Sequence, residues 1–425
     1  MSVFEQLIGG CKIPSLVPVK QKFPRPVLAD IPGEINKCLR ENELLQRIPA
    51  GCRVAVTAGS RGIAGIDMIT KALVEALKET GAKPFIVPAM GSHGGATAEG
   101  QQEVLASLGI SAETMGVPVK SSMDVLELGY TETNLPVYVD KIALSEADAI
   151  VVVNRIKPHT TFRGTYESGL AKMIAIGLGK QQGAELCHST GPQNMAPMIK
   201  MLAEKIIEKA NIVFGLGILE NAFDETCKIV ALPAEEILDR EPELLREAWS
   251  HMPCIYFKKY DVLVVDEIGK NISGTGLDPN IVGRYTTKTI KDEDWVQRIA
   301  VLDLTEQTGG NANGIGLADI CSRRAYEKID FQKTYPNCLT TRVVFSARIP
   351  MVMDNDRQAI QAAIKTCFDA DQNNIRLIRI KNTLQLDQIQ ISEALLPEAE
   401  ENPAIEILDR KANPLTFNRA GNLDL

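Results

Sequence analysis

Short apolar runs recur along the chain, and amphipathic stretches separate them. Arg53–Thr57, Pro84–Pro88, Ala149–Val153 and Asn211–Gly215 read as buried-type strands, the pattern of a sheet covered on two sides. Between the first two, Gly65–Thr80 reads as a helix with Ile66, Ile69, Leu73, Ala76 and Leu77 on one face, and Gly81 as its stop. Met195–Ala210 reads as a further helix. This alternation is the signature of an α/β fold. A second series starts near Tyr260: "YDVLVVDEIG", "RIAVLDL" and "TRVVFSARIP" read as strands and Asp356–Cys367 as a helix. At 425 residues the chain has room for two or three domains. We expect an N-terminal, Rossmann-like α/β domain over residues 1–255, with its nucleotide site at the strand C-terminal ends. A smaller C-terminal α/β domain follows over 256–396, and the acidic tail 397–425 is free to return to the first.

Composition removes several function classes. A net charge of −8 gives no basic footprint for nucleic acid or an anionic membrane. No apolar run is long enough to span a bilayer, and the first fifteen residues do not read as a signal peptide. The nine cysteines are dispersed, without C-x-x-C pairs, so we expect reduced thiols and a cytoplasmic protein.

The turn "VAVTAGSRGIAG" (54–65) approaches a dinucleotide-binding fingerprint, but Ala58 and Ala64 stand where two glycines belong. No tyrosine is followed by lysine four residues later, so a short-chain dehydrogenase is excluded. What remains is a strand–turn–helix with Ser60 and Arg61, suited to one phosphate or carboxylate. "GLGKQQ" is not a P-loop, because Ile174 and Gln181 stand where glycine and Ser/Thr are required. Two further loops follow apolar strands. "GSHGGAT" sets His93 among glycines, and "KPHTTFRGTYESGLAK" packs Lys157, His159, Arg163, Glu167 and Lys172 between apolar segments. His188 lies beyond. Ligands in open α/β sheets bind outside the carboxyl ends of the strands, which is where these loops fall.

Taken in order, Ser60-Arg61, Gly91-Ser92-His93, Pro158-His159, Ser168-Gly169-Leu170-Ala171-Lys172 and His188 resemble the nickel-pincer nucleotide-dependent lactate racemase family. The resemblance spans most of residues 50–215. It implies an isomerase, a racemase or epimerase of 2-hydroxy acids. It also implies a nickel pyridinium-3,5-dithiocarboxylate-type mononucleotide, loaded by its biosynthetic enzymes and held covalently by Lys172 through a thioamide. Ser60, Arg61, Ser168 and Gly169 would complete the cofactor site, and His188 would be the protein's nickel ligand. His93 and His159 would be the catalytic acid–base pair, exchanging the hydroxyl proton while hydride moves to the pincer. A mononucleotide has one phosphate, so a single-anion turn is sufficient. The chain departs from the family at Ala58, where an acidic residue is usual, and in a longer loop between His159 and Lys172. The small-molecule substrate is therefore as readily a larger or more polar hydroxy acid as lactate, with Arg61, Lys157 or Arg163 for an extra carboxylate. Lys270, in "DEIGKNISGTG", is a candidate for the substrate carboxylate. Alternatives are a pincer-dependent enzyme with another net reaction and a non-catalytic mononucleotide-binding protein.

Overall fold

The computed structural model describes residues 3–424 and is mixed α/β. It divides into two compact units, residues 24–252 and residues 1–23 with 253–425. No described helix is long and apolar enough to cross a membrane.

The 24–252 unit is built on five strands: β1 (Arg53–Ala58), β2 (Lys83–Pro88), β3 (Ala149–Arg155), β4 (Ile212–Glu220) and β5 (Thr226–Pro233). Their order is β2-β1-β3-β4-β5. The first four are parallel, and β5 adds antiparallel at the edge. Side chains alternate across the sheet with period two. Val54, Val56, Ile86, Val151 and Val153 pack on one face with α1 (Ile66–Glu79). Ala55, Phe85, Val87, Ile150 and Val152 pack on the other. There they meet α4 (Met195–Lys209), α5 (Ile237–His251) and the buried segment Leu170–Leu178. Both faces are thus covered, which is why these strands read as continuous apolar runs.

The chain passes from β1 to β2 on one side and then to β3 on the other side of β1. That reversal leaves a crevice at the carboxyl ends of β1 and β3. Pairing between them runs from Val54↔Ala149 to Val56↔Val151. Beyond it the Val153 amide donates to the Thr57 hydroxyl at 2.9 Å, so the ladder gives way to a side-chain bond as the strands part.

In the other unit, eight strands form one sheet. The five parallel members are Met351–Met353, Ile320–Ser322, Val296–Leu304, Tyr260–Ile268 and Leu377–Ile380. Gln388–Ser392, Leu16–Gln21 and Ile405–Ile407 extend it antiparallel. The N-terminal segment and the acidic tail therefore belong here, not to the first domain where the sequence placed residues 1–23. The reason is pairing: Leu16–Gln21 is sandwiched between Gln388–Ser392 and Ile405–Ile407. Leu423 is buried, and its amide donates to Asp356 at 2.8 Å.

One expected strand is absent. "TRVVFSARIP" begins as the end of a helix, Phe331–Thr341, which Arg342 stops in a left-handed conformation (φ 59°). A short 3-10 turn follows, Val344–Ala347, with Val344 72% exposed. The segment instead runs past Gly316, where an added Cβ would lie 2.0 Å from the Phe345 carbonyl oxygen. Within the segment Val343 and Ser346, three residues apart, are buried, the spacing of a tight helical turn and not the alternation of a strand.

Candidate active site

The loops after β1, β2 and β3 bring the charged and imidazole side chains together. After β1, the Ala64 amide donates to Glu220 at 2.8 Å and the Ala64 carbonyl accepts from the Thr226 hydroxyl at 2.8 Å. The same Glu220 carboxylate accepts from Arg155. The turn is thereby tied to β4 and β5, and its outer face stays open: a Cβ added at Gly62 meets nothing within 4 Å. No carboxylate among the described residues pairs with Arg61, in contrast to Arg155. Burial and then Arg155 disfavour the Arg61 charge, although its side chain still reaches solvent. An anion there would relieve that repulsion.

After β2, the chain turns at Gly91 (φ 59°), whose amide donates to the Gly177 carbonyl at 3.3 Å. An added Cβ would touch Ala184 and Ile176 at 3.4 and 3.5 Å, so a residue with positive φ and no side chain fits best. His93 then lies at the rim, exposed, with its Nδ1 2.8 Å from the Ser60 hydroxyl. Arg61 Nη1 reaches the same hydroxyl at 3.5 Å. Ser60, expected at the cofactor, has its hydroxyl bonded to this imidazole.

After β3, Lys157 and Ser168 pair through their backbones at 2.9 and 3.2 Å, closing a loop with His159 inside it. Glu167, nearly fully buried, accepts the His159 amide at 2.6 Å and the Gly164 amide at 3.3 Å. Arg163 donates to the His159 carbonyl at 2.5 Å and covers the Trp249 ring at 4.9 Å. Arg163 was expected to meet a substrate carboxylate. Its contacts make it a clamp on the loop that carries His159. Burial holds the His159 imidazolium well below its ordinary pKa, and Lys172, His188, Arg163 and Arg61 add to the effect. Five cationic or potentially cationic side chains thus share one electrostatic neighbourhood.

Lys172 ends a short helical turn, Leu170–Lys172, that continues as a π-helical segment, Met173–Gly177, an irregularity common at functional sites. Burial and then Arg61 bring its pKa down to about 8. The turn starts at Gly169, whose carbonyl accepts from Asn154 Nδ2 at 2.7 Å. Glu241, fully buried, accepts the Ala171 amide at 2.8 Å and lies so close to Gly169 that a Cβ there would be 2.3 Å from its Oε1. His188 is half-buried near the end of α3 (Lys180–Ser189), beside Cys187, which the Lys172 charge also reaches. Lys270 belongs to the other unit, and its ammonium donates to the Gly274 carbonyl of its own loop at 2.6 Å.

Several residues of the site had no sequence signal. Lys180 stands out only as part of the rejected P-loop, yet it is completely buried, 2.9 Å from Asp140. It donates to the Pro88 carbonyl at 2.5 Å and to Gln101 Oε1 at 3.0 Å. Gln101 in turn donates to the carbonyls of Gly91 and His93 at 2.9 and 3.2 Å. The loop bearing His93 therefore rests on a buried lysine ninety residues away in sequence. Glu241 was likewise silent, one acid among several on an amphipathic helix.

The residues fit a covalently attached anionic cofactor. A lysine with a pKa near 8 exposes a neutral, acylatable amine at physiological pH. Arg61 offers a phosphate a guanidinium that no carboxylate among the described residues pairs with, and an imidazole suits nickel. No group of three or more His, Cys, Asp or Glu able to hold a metal occurs among the described residues.

Residues 35–213 match the family described as the lactate racemase N-terminal domain. Among solved structures, the lactate racemase apoprotein from Thermoanaerobacterium thermosaccharolyticum matches with 15% sequence identity and a TM-score of 0.48. The match covers 87% of this chain and 88% of that one. No curated protein matches the chain.

Proposed function

We propose that this chain, a lactate racemase-like protein whose residues 35–213 match the family's N-terminal domain, interconverts the stereoisomers of a 2-hydroxy acid. The observation that carries the reading is the grouping of Arg61, His93, His159 and Lys172 on loops after three neighbouring parallel strands, with the Lys172 amine brought to a pKa of about 8. Lys172 would hold a nickel-pincer mononucleotide through a thioamide, Arg61 its phosphate, and His188 its nickel. When bound, such a group supplies an acceptor for the Cα hydrogen, so that no carbanion has to form.

The protein's own residues supply the rest. His93 takes the substrate's hydroxyl proton and returns it, and Ser60 steadies the ring through Nδ1. His159 completes the imidazole pair from the opposite loop.

The test uses full-length protein made alongside the cofactor's biosynthetic enzymes. We expect an adduct on Lys172, near-stoichiometric nickel, and racemisation of a 2-hydroxy acid in D2O that leaves protium at Cα. Lys172→Ala should abolish the adduct, whereas His188→Ala should keep the adduct and hold nickel poorly. An adduct on Lys180 instead, or solvent deuterium entering Cα during turnover, would overturn the reading.

A further inference from the structure

The two imidazoles of the site are held by different kinds of partner. His93 Nδ1 faces a hydroxyl, Ser60 Oγ, which donates or accepts as the ring requires. His159 Nδ1 faces Thr161 twice: its backbone amide at 3.1 Å and its hydroxyl at 3.1 Å. An amide N–H can only donate, so the nitrogen that receives it carries no proton. A neutral His159 must then carry its proton on Nε2.

The loop leaves the ring little freedom to escape this arrangement. Glu167 holds the His159 amide and Arg163 its carbonyl. The Phe162 ring lies against the imidazole with centroids 4.2 Å apart and planes at 30°. Turning Nδ1 away would break both Thr161 bonds.

We infer that Thr161 fixes His159 as a neutral Nε2–H hydrogen-bond donor, which orients the substrate while His93 alone exchanges its proton. A neutral ring protonated at Nε2 cannot accept a proton there. Protonation at Nδ1 would set its new hydrogen against the Thr161 amide. Burial and the surrounding positive charges oppose the imidazolium as well. The chemistry such a group recognises is an acceptor oxygen, here the carboxylate or the carbonyl oxygen generated from the hydroxyl. This assignment of partners rests on the 2-hydroxy acid reading; the tautomer does not.

The tautomer can be read in full-length protein labelled with ¹⁵N-histidine and free of cofactor. The chain has only four histidines, and loss of one set of signals in His159→Gln assigns this one. At pH 7 we expect a protonated Nε2 and an unprotonated, hydrogen-bonded Nδ1. Thr161→Ser should keep that pattern, and Thr161→Val should shift the Nδ1 signal as one donor is lost. A protonated Nδ1 in the parent protein would overturn the inference. In loaded enzyme, His159→Gln retains a neutral N–H donor and should keep kcat within about tenfold. His93→Gln should lose the roughly 10²–10⁴-fold typical of a missing acid–base group. Equal losses from the two substitutions would make His159 a proton carrier and end the proposal. An Nε2–H His159 in a loaded protein that turns over no 2-hydroxy acid would count against the reaction rather than against the role of Thr161.

Discussion

Lys172 shows how one side chain is tuned by where it is placed. A lysine in water is almost wholly protonated at neutral pH, but burial and the Arg61 charge bring this one to a pKa of about 8. The neutral amine is therefore a substantial fraction at pH 7–8. We predict that a water-soluble acylating reagent, used in limiting amount on cofactor-free protein, modifies Lys172 with an apparent pKa near 8. Peptide mass mapping reads this directly, and a half-point near 10.5 would show that the amine is ordinary. Arg61 acts at the same scale. Its guanidinium has a repelling neighbour and no carboxylate partner among the described residues, so it should contribute to cofactor loading rather than to stability. Arg61→Lys should weaken loading, because a point ammonium cannot replace a bidentate fork. Normal loading with a raised KM would place Arg61 on the substrate.

At the scale of the element, Lys172 depends on a turn only three residues long, which has too few internal bonds to hold itself. Glu241 on α5 supplies the missing acceptor from below, and Gly169 leaves room for it. Burial pushes the Glu241 carboxyl up to about 7 from an ordinary 4.5. Between those values the native state holds more protons than the unfolded chain. Stability from this group is therefore complete below about pH 4.5 and lost as pH rises through 7. Glu241→Gln keeps an acceptor for the Ala171 amide without the charge. Its unfolding free energy should be flatter across pH 5–8 than the parent's, as denaturant titrations would show; identical slopes would refute the assignment. Gly169→Ala should cost about 1–3 kcal/mol by overpacking against that carboxyl. In the Gly169→Ala/Glu241→Ala double variant the two effects should fall short of their sum, since removing the carboxyl makes room for the methyl.

At the scale of the whole chain, the buried Lys180–Asp140 pair links segments that are far apart in sequence. Lys180 joins the end of β2, through Pro88, to α2 (Ala98–Ser107), through Gln101, and to Asp140, which also caps the helix Lys141–Ser145 at the Ala143 amide. Both charged side chains are fully buried, so removing one strands the other. Lys180→Met should destabilise the protein by about 3–5 kcal/mol. Lys180→Met/Asp140→Asn should recover part of the loss while keeping the cap. A single variant no less stable than the parent by thermal unfolding would mean that the pair is not buried in solution. In the other unit, deleting residues 402–425 removes the edge strand Ile405–Ile407 and the Leu423 anchor on Asp356. The melting temperature should fall accordingly.

The sequence by itself determined the strands buried on both faces, the helix that follows β1, and the loops in which chemistry would gather. Continuous apolar runs announce such strands, and a parallel sheet aims its following loops toward one edge. It also separated Ser60-Arg61, His93, His159, Lys172 and His188 from the background, because their order and spacing form a pattern along the chain. Only the tertiary structure decided what those groups touch. That Ser60 serves His93, that Arg163 and Glu167 clamp His159, and that Thr161 sets its proton follow from loop geometry. That Glu241 and Lys180 are buried follows from packing against distant elements. The same holds for the tail strand and for the missing strand at 341–350. An apolar or charged residue states its own preference in the sequence, but burial and pairing belong to its partner, and partners far along the chain leave no periodic trace.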